Sequence, residues 1–217
     1  MSTPSQTTRT TQARLRAQNL RTVGALAGLF LVPLALAFYT YYATGWRPAQ
    51  HVNHGALISP PRPLPAVALP QASLVTAPPR GGAGATPVFR NQWSLVYIGD
   101  GACDASCRWA LYVMRQTRLG LSDDMRRVAR VFLVSGGCCN LGYLERAWPG
   151  LVVLNAAGPA GAALIAEFPG AGDPGTRAHT LYVVDPLGNL MMSYDARANP
   201  RGLLEDLQKL LRLSHIG

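Results

Sequence analysis

Apolar and polar positions divide the chain into three stretches of different texture. Thr22 to Trp46 carries no charged residue. About 20 apolar residues cross a bilayer core as a helix, so this run predicts a membrane span. Pro33 inside it suits a membrane helix better than a water-exposed one. Residues 47–87 show no period and are rich in Pro and Gly, which predicts a semi-rigid linker that is flexible at its glycines. From residue 88 onward, short apolar runs alternate with stretches of helical spacing.

Trp93–Ile98 predicts a buried strand. Cys107–Leu119 predicts a helix with Cys107, Leu111, Met114 and Arg118 on one face, flanked by Trp109 and Val113 and ended by Gly120. Ser122 is a candidate cap for a short turn. Val131–Val134 predicts a second strand closed by Gly136-Gly137, and residues 140–147 a short helix stopped by Pro149. Leu151–Leu154 predicts a third strand, and Pro159–Phe168 a helix with proline in its first turn. Thr180–Asp185 and Leu190–Tyr194 flank a turn at Pro186–Asn189 and predict an antiparallel hairpin. Asn199 caps a final helix, 200–213, whose leucines 203, 204, 207, 210 and 211 form a core stripe. This alternation predicts an α/β fold, with a mixed, mostly parallel sheet and helices on both faces. The hairpin and last helix complete a thioredoxin-like pattern. The expected organisation is a cytoplasmic tail (1–21), a transmembrane anchor (22–46), a linker (47–87) and a thioredoxin-like domain (88–217). Within the linker, Leu64, Val67, Leu69 and Leu74 are apolar enough to pack on the domain.

Charge adds orientation. Arg9, Arg14, Arg16 and Arg21 precede the apolar run, and no acidic residue occurs before Asp100. Tyr39, Tyr41, Tyr42 and Trp46 crowd its other end as an interfacial belt. The excess of arginine places the N-terminus in the cytoplasm and the remainder outside it. In a bacterium this means an inner-membrane protein with its C-terminal domain in the periplasm. Ala35-Leu36-Ala37 has the form of a signal-peptide cleavage site, but the apolar run continues past it into the aromatic belt. From residue 47 on there are sixteen basic and eleven acidic residues, without a basic run or basic–aromatic interleaving, which argues against nucleic-acid binding.

The candidate chemistry is sulfur. Cys103 and Cys107 follow the first strand at the start of a helix, and Cys138-Cys139 follow the second strand. If those strands are parallel neighbours, both pairs lie at the carboxyl edge of the sheet, where open α/β sheets place their sites. His179 precedes an antiparallel strand and therefore starts at the same edge. An i,i+4 pair lies on one helix face, and a helix N-terminus favours thiolates. Two thiolates and one imidazole form a soft donor set suited to copper, and also to zinc. The vicinal Cys138 and Cys139 can hardly pair with each other; they are either small residues of a glycine turn or additional thiols for exchange or metal binding. His51 and His54 read as surface residues, and His215 lies at the terminus.

The segment Gln92-Trp-Ser-Leu-Val-Tyr-Ile-Gly-Asp-Gly-Ala-Cys103-Asp-Ala-Ser-Cys107 resembles the strand, loop and C-x3-C signature of the Sco/SenC family. His179 upstream of Tyr182-Val-Val-Asp-Pro-Leu-Gly188 resembles that family's distal histidine and hairpin. The resemblance covers residues 88–213, and the anchor and linker match the family's layout. It implies a thioredoxin-like copper protein that assists maturation of the copper centre of cytochrome c oxidase, with Cys103, Cys107 and His179 as copper ligands. The partner would be an oxidase subunit or another copper or redox protein. Such a protein is a metallochaperone or assembly factor rather than an enzyme with turnover. Asp104 stands where the family usually has proline, Ala178 where it has an acidic residue, and Gly136-Gly137-Cys138-Cys139 where it has an acidic loop. His179-Thr180 also falls where thioredoxins place their cis-Pro-Thr. These departures support an alternative, a thiol-disulfide oxidoreductase with Cys103 and Cys107 as its catalytic pair. The anchor is open to a direct check. Intact-mass measurement of the membrane-bound protein should give the uncut sequence, whereas a chain beginning at residue 38 would identify a cleaved signal.

Overall fold

The computed structural model describes residues 6–43, 53–72, 88–137, 140–214 and 216. It contains two compact units, Met1–His51 and Val52–Gly217. The first is one helix, α1 (Gln6–Ala43), with Pro33 inside it. Its stretch Gln18–Ala43 is long and apolar enough to cross a membrane. The helix begins well before the expected span, because the polar N-terminal residues continue the same hydrogen-bonded ladder. Trp46 lies outside the described residues.

The second unit is a six-stranded mixed sheet. Its strands are β1 (Ala56–Pro63), β2 (Trp93–Gly99), β3 (Val128–Val134), β4 (Leu151–Asn155), β5 (Thr180–Val184) and β6 (Asn189–Asp195), in the spatial order β1-β6-β5-β2-β3-β4. β2, β3 and β4 are parallel, while β5 and β6 form the expected antiparallel hairpin. Alternation along the strands separates two cores. Leu95, Tyr97, Phe132 and Leu181 face α2 (Ala105–Gly120), α3 (Leu141–Ala147) and α6 (Pro200–Leu213). Val96, Ile98, Leu133 and Tyr182 face α4 (Pro159–Ala166). The last helix has the predicted bounds, with Leu203, Leu207 and Leu211 buried.

Two local expectations are corrected, and one further element is found. Residues 56–63, assigned to the linker, are strand β1, paired antiparallel with β6. Its prolines are tolerated because an edge strand needs partners on one side only. Ser122 is not a cap. It takes a left-handed φ of 54° inside a 3-10 turn, Ser122–Arg127, that has no side-chain cap bond. A short helix, α5 (Pro174–Arg177), precedes β5, with Asp173 as its cap and proline at its start.

The chain after β1 crosses the α4 face. Leu64 is buried, with Val67 and Leu69 packed alongside. The Asn155 amide donates to the Pro70 carbonyl at 3.0 Å, and Ala72 donates to Val153 at 2.9 Å. This segment therefore packs on the domain as its apolar residues suggest; Leu74 lies outside the described residues. Ahead of β1, the buried Asp206 carboxylate accepts the backbone N–H groups of His54 (2.8 Å) and Gly55 (3.0 Å). The lead-in to the domain is thus clamped onto α6. Bonds to a carboxylate contribute about 1.5–3 kcal/mol each, so loss of both in Asp206→Ala should cost about 3 kcal/mol or more in urea unfolding. Limited proteolysis should then nick the variant ahead of β1.

Candidate functional site

β2 ends at Gly99 and the chain turns tightly before α2. The Asp100 carbonyl accepts the Cys103 N–H at 3.2 Å, and its carboxylate accepts the Ala102 N–H at 2.8 Å. Cys103 sits in the left-handed region at φ 46°. Asp104 caps α2 by accepting the Cys107 N–H at 2.9 Å. Asp104, which stands in place of the expected proline, is thus the residue that starts the helix. Arg108 Nη1 donates to the Cys103 carbonyl at 3.2 Å. Cys103 and Cys107 form a disulfide, with Cα atoms 5.0 Å apart. Both cysteines are buried in the α2-side core.

The disulfide borders a pocket of about 340 Å³, whose wall includes Tyr97, Asp100, Asp104, Arg177 and Ala178. The Tyr97 hydroxyl donates to the Ala178 carbonyl at 3.3 Å. Burial, with Asp104 adding to it and Arg177 opposing, pushes this phenol up to about 12. Tyr97 therefore stays protonated and remains a donor at neutral pH. Among the described residues, Arg177 is the one basic side chain in this lining.

His179 is half-buried and directly precedes β5, at the sheet edge where the disulfide lies. Its side chain lines a neighbouring pocket of about 620 Å³ with His54, Asp195 and Arg197. The cause is α5. Its Asp173 cap, bonded to the Gly175 and Thr176 amides, starts a turn that ends with Ala178 in the right-handed helical region. That turn presents Arg177 and Ala178, not His179, to the pocket beside the disulfide. The His179 carbonyl accepts the Ala196 N–H at 2.7 Å, and the Ala196 carbonyl accepts Trp109 Nε1 at 2.9 Å, which ties this segment to α2. In the neighbouring pocket, Arg197 holds the Asp195 carboxyl below its usual range through direct hydrogen bonds. Among the described residues, no three of His, Cys, Asp and Glu are grouped to hold a metal ion.

Cys138, Cys139, His51 and His215 lie outside the described residues. The flanking chain is described. The Ser135 N–H donates to the Gly99 carbonyl at 2.9 Å. A Cβ at Gly136 would come within 2.6 Å of the Asp100 carboxylate, so a larger residue there would have to displace that side chain. The loop leaving β3 therefore meets the loop leaving β2, as parallel pairing requires. His54 pairs with Glu205 at 3.1 Å. The sequence reading did not single out Tyr97, Asp100 and Arg177. Asp173-Pro174, a standard helix start, was the available signal for α5.

The family model described as "Transmembrane-like, thioredoxin-like, C-terminal domain" matches residues 93–214. The chain belongs to this family. No curated protein matches its sequence. Solved structures share its fold. Apo Sco1 from Thermus thermophilus is 20% identical with a TM-score of 0.53, over 75% of this chain and 99% of that one. Yeast Sco1 with copper bound is 14% identical with a TM-score of 0.50, over 58% of this chain and 82% of that one. In this chain the thioredoxin-like domain carries a C-x3-C disulfide at the start of α2.

Tyr97 yields a test with a definite sign. Its phenol ionises near 10 in the unfolded chain and near 12 when folded. Its burial therefore favours folding equally at all pH below 10, and this advantage fades as pH rises from 10 to 12. Tyr182, also pushed up to about 12 by burial, adds to the same window. Urea midpoints should fall over that interval, and Tyr97→Phe should flatten part of the fall.

Proposed function

We propose that this protein is a membrane-anchored, periplasm-facing assembly factor that works through Cys103 and Cys107, taking copper as its cargo and assisting maturation of the copper centre of cytochrome c oxidase. The observation that carries this reading is the cysteine pair itself. Its Cα atoms are 5.0 Å apart at the N-terminus of α2, beside a pocket. A partner dithiol that gives two electrons and two protons, and is itself left as a disulfide, converts the Cys103–Cys107 bond into two thiols, and the helix N-terminus favours their thiolates. Two thiolates suit soft copper, and His179 is the third donor in this proposal. Its neighbour Ala178 lines the pocket while His179 lines the adjoining one, so ligation by His179 requires the α5–β5 junction to rearrange. The shared fold with yeast Sco1, which is known with copper bound, supports the same reading.

Copper titration of the full chain in detergent under reducing conditions tests the proposal. Submicromolar binding that is lost in Cys103→Ser and Cys107→Ser, and weakened in His179→Ala, is expected. Failure of the wild type to bind, or binding unchanged by Cys103→Ser, would sink it. A second reading, thiol-disulfide exchange with a partner's cysteines, is favoured by two observations: the pair is oxidised, and His179 lines the other pocket. In that case Cys107→Ser should trap a mixed disulfide through Cys103. The Cys103–Cys107 potential should also lie within reach of periplasmic thiol partners.

A further inference from the structure

Helix α2 presents solvent with a face that neither the sheet nor the disulfide accounts for. Its inner side is occupied by buried Cys107, Ala110, Leu111, Val113, Met114 and Thr117. Its outward side carries Arg108, Trp109, Tyr112, Arg115 and Leu119, with the exposed and uncharged Ala105 and Gln116 between them. At 3.6 residues per turn these seven positions fall within an arc of about 120°. Trp109 and Tyr112 are each 45% exposed, and Leu119 is 51% exposed. The two aromatic rings stack with centroids 5.5 Å apart and planes 25° from parallel, forming one continuous aromatic surface. The indole N–H of Trp109 is already bonded to Ala196, so the part left to solvent is apolar ring. The helix contains three arginines and no acidic residue.

Arginine beside tryptophan, tyrosine and leucine, without a carboxylate, is the composition of surfaces that lie in a membrane interface. The rings sit at headgroup level and the guanidinium groups meet lipid phosphates. The same chain carries a helix able to cross a membrane. A tether of that kind keeps the local lipid concentration high, so a weak surface affinity suffices. We propose that the outer face of α2 docks on an anionic lipid surface. The occupant is lipid rather than protein because the charge on this face has one sign and matches acidic headgroups. Docking would fix the attitude of the disulfide pocket, which opens at the N-terminal end of the same helix. The proposal stands independently of the copper reading.

The test uses the full chain in nanodiscs of brominated phosphatidylcholine, with or without phosphatidylglycerol. Subtracting the fluorescence of Trp109→Phe from that of wild type isolates Trp109. Its emission should be quenched and blue-shifted in the anionic discs and not in the neutral ones. Each arginine near an anionic surface contributes roughly fivefold in partition. Arg115→Glu should therefore weaken the quenching at least about fivefold, and Arg115→Lys should preserve it. Arg115→Glu made in the otherwise wild-type chain keeps the test valid should Trp109→Phe fold poorly. Absence of quenching in both lipids, or equal quenching in both, would overturn the proposal.

Discussion

Strand β2 is buried along all seven of its residues and is hydrogen-bonded on both sides, parallel to β3 and antiparallel to β5. A strand with no exposed edge and no exposed face has little freedom of register, because a one-residue slip would exchange its two core faces. The parallel register sets Gly99 opposite Val134, so the chain leaves β2 and β3 at one level. The antiparallel register sets Tyr97 opposite Leu181, so β5 begins at that same level. The disulfide loop, the Gly136 loop and the α5–β5 junction converge for this reason.

The disulfide depends on that convergence and on local capping. Asp100 shapes the turn, Asp104 starts the helix, and Cys107 occupies the first buried turn of α2. The opposite wall depends on α5. Asp173 draws the chain into a helical turn, and the Tyr97 hydroxyl holds Ala178 by its carbonyl. The electrostatics of the pocket follow from these placements: Arg177 lines it together with Asp100, Asp104 and a phenol that stays neutral. A histidine and a cysteine pair can thus share a sheet edge while their side chains line different pockets.

The domain also depends on chain that precedes the thioredoxin-like pattern. β1 covers the free edge of β6, and the segment after it covers the α4 face as far as β4. Leu64 belongs to that core, and Asp206 fastens the beginning of the segment to α6. An uncovered edge strand presents unpaired backbone groups to other chains. Here a proline-rich strand closes that edge while having few donors of its own to offer.

Much of this was legible in the residues. Short continuous apolar runs bounded by turn residues marked β2 to β6, helical spacing marked α2 and the α6 leucine stripe, and an uncharged run marked the long apolar helix. These are local signals, each set by the geometry of its own element. The cysteine pair at a strand-helix junction was legible for the same reason. Three features depended on partners distant in sequence. Ala56–Pro63 is a strand because β6 has a free edge to pair with, although its own prolines read as linker. Tyr97, Asp100 and Arg177 share a pocket because three strand ends coincide in space. His179 lines one pocket and Ala178 the other because a four-residue helix turns the backbone just before β5. Sequence spacing determines which residues reach a sheet edge, whereas the direction a side chain takes there is decided by the turn that delivers it and by the neighbours that hold it.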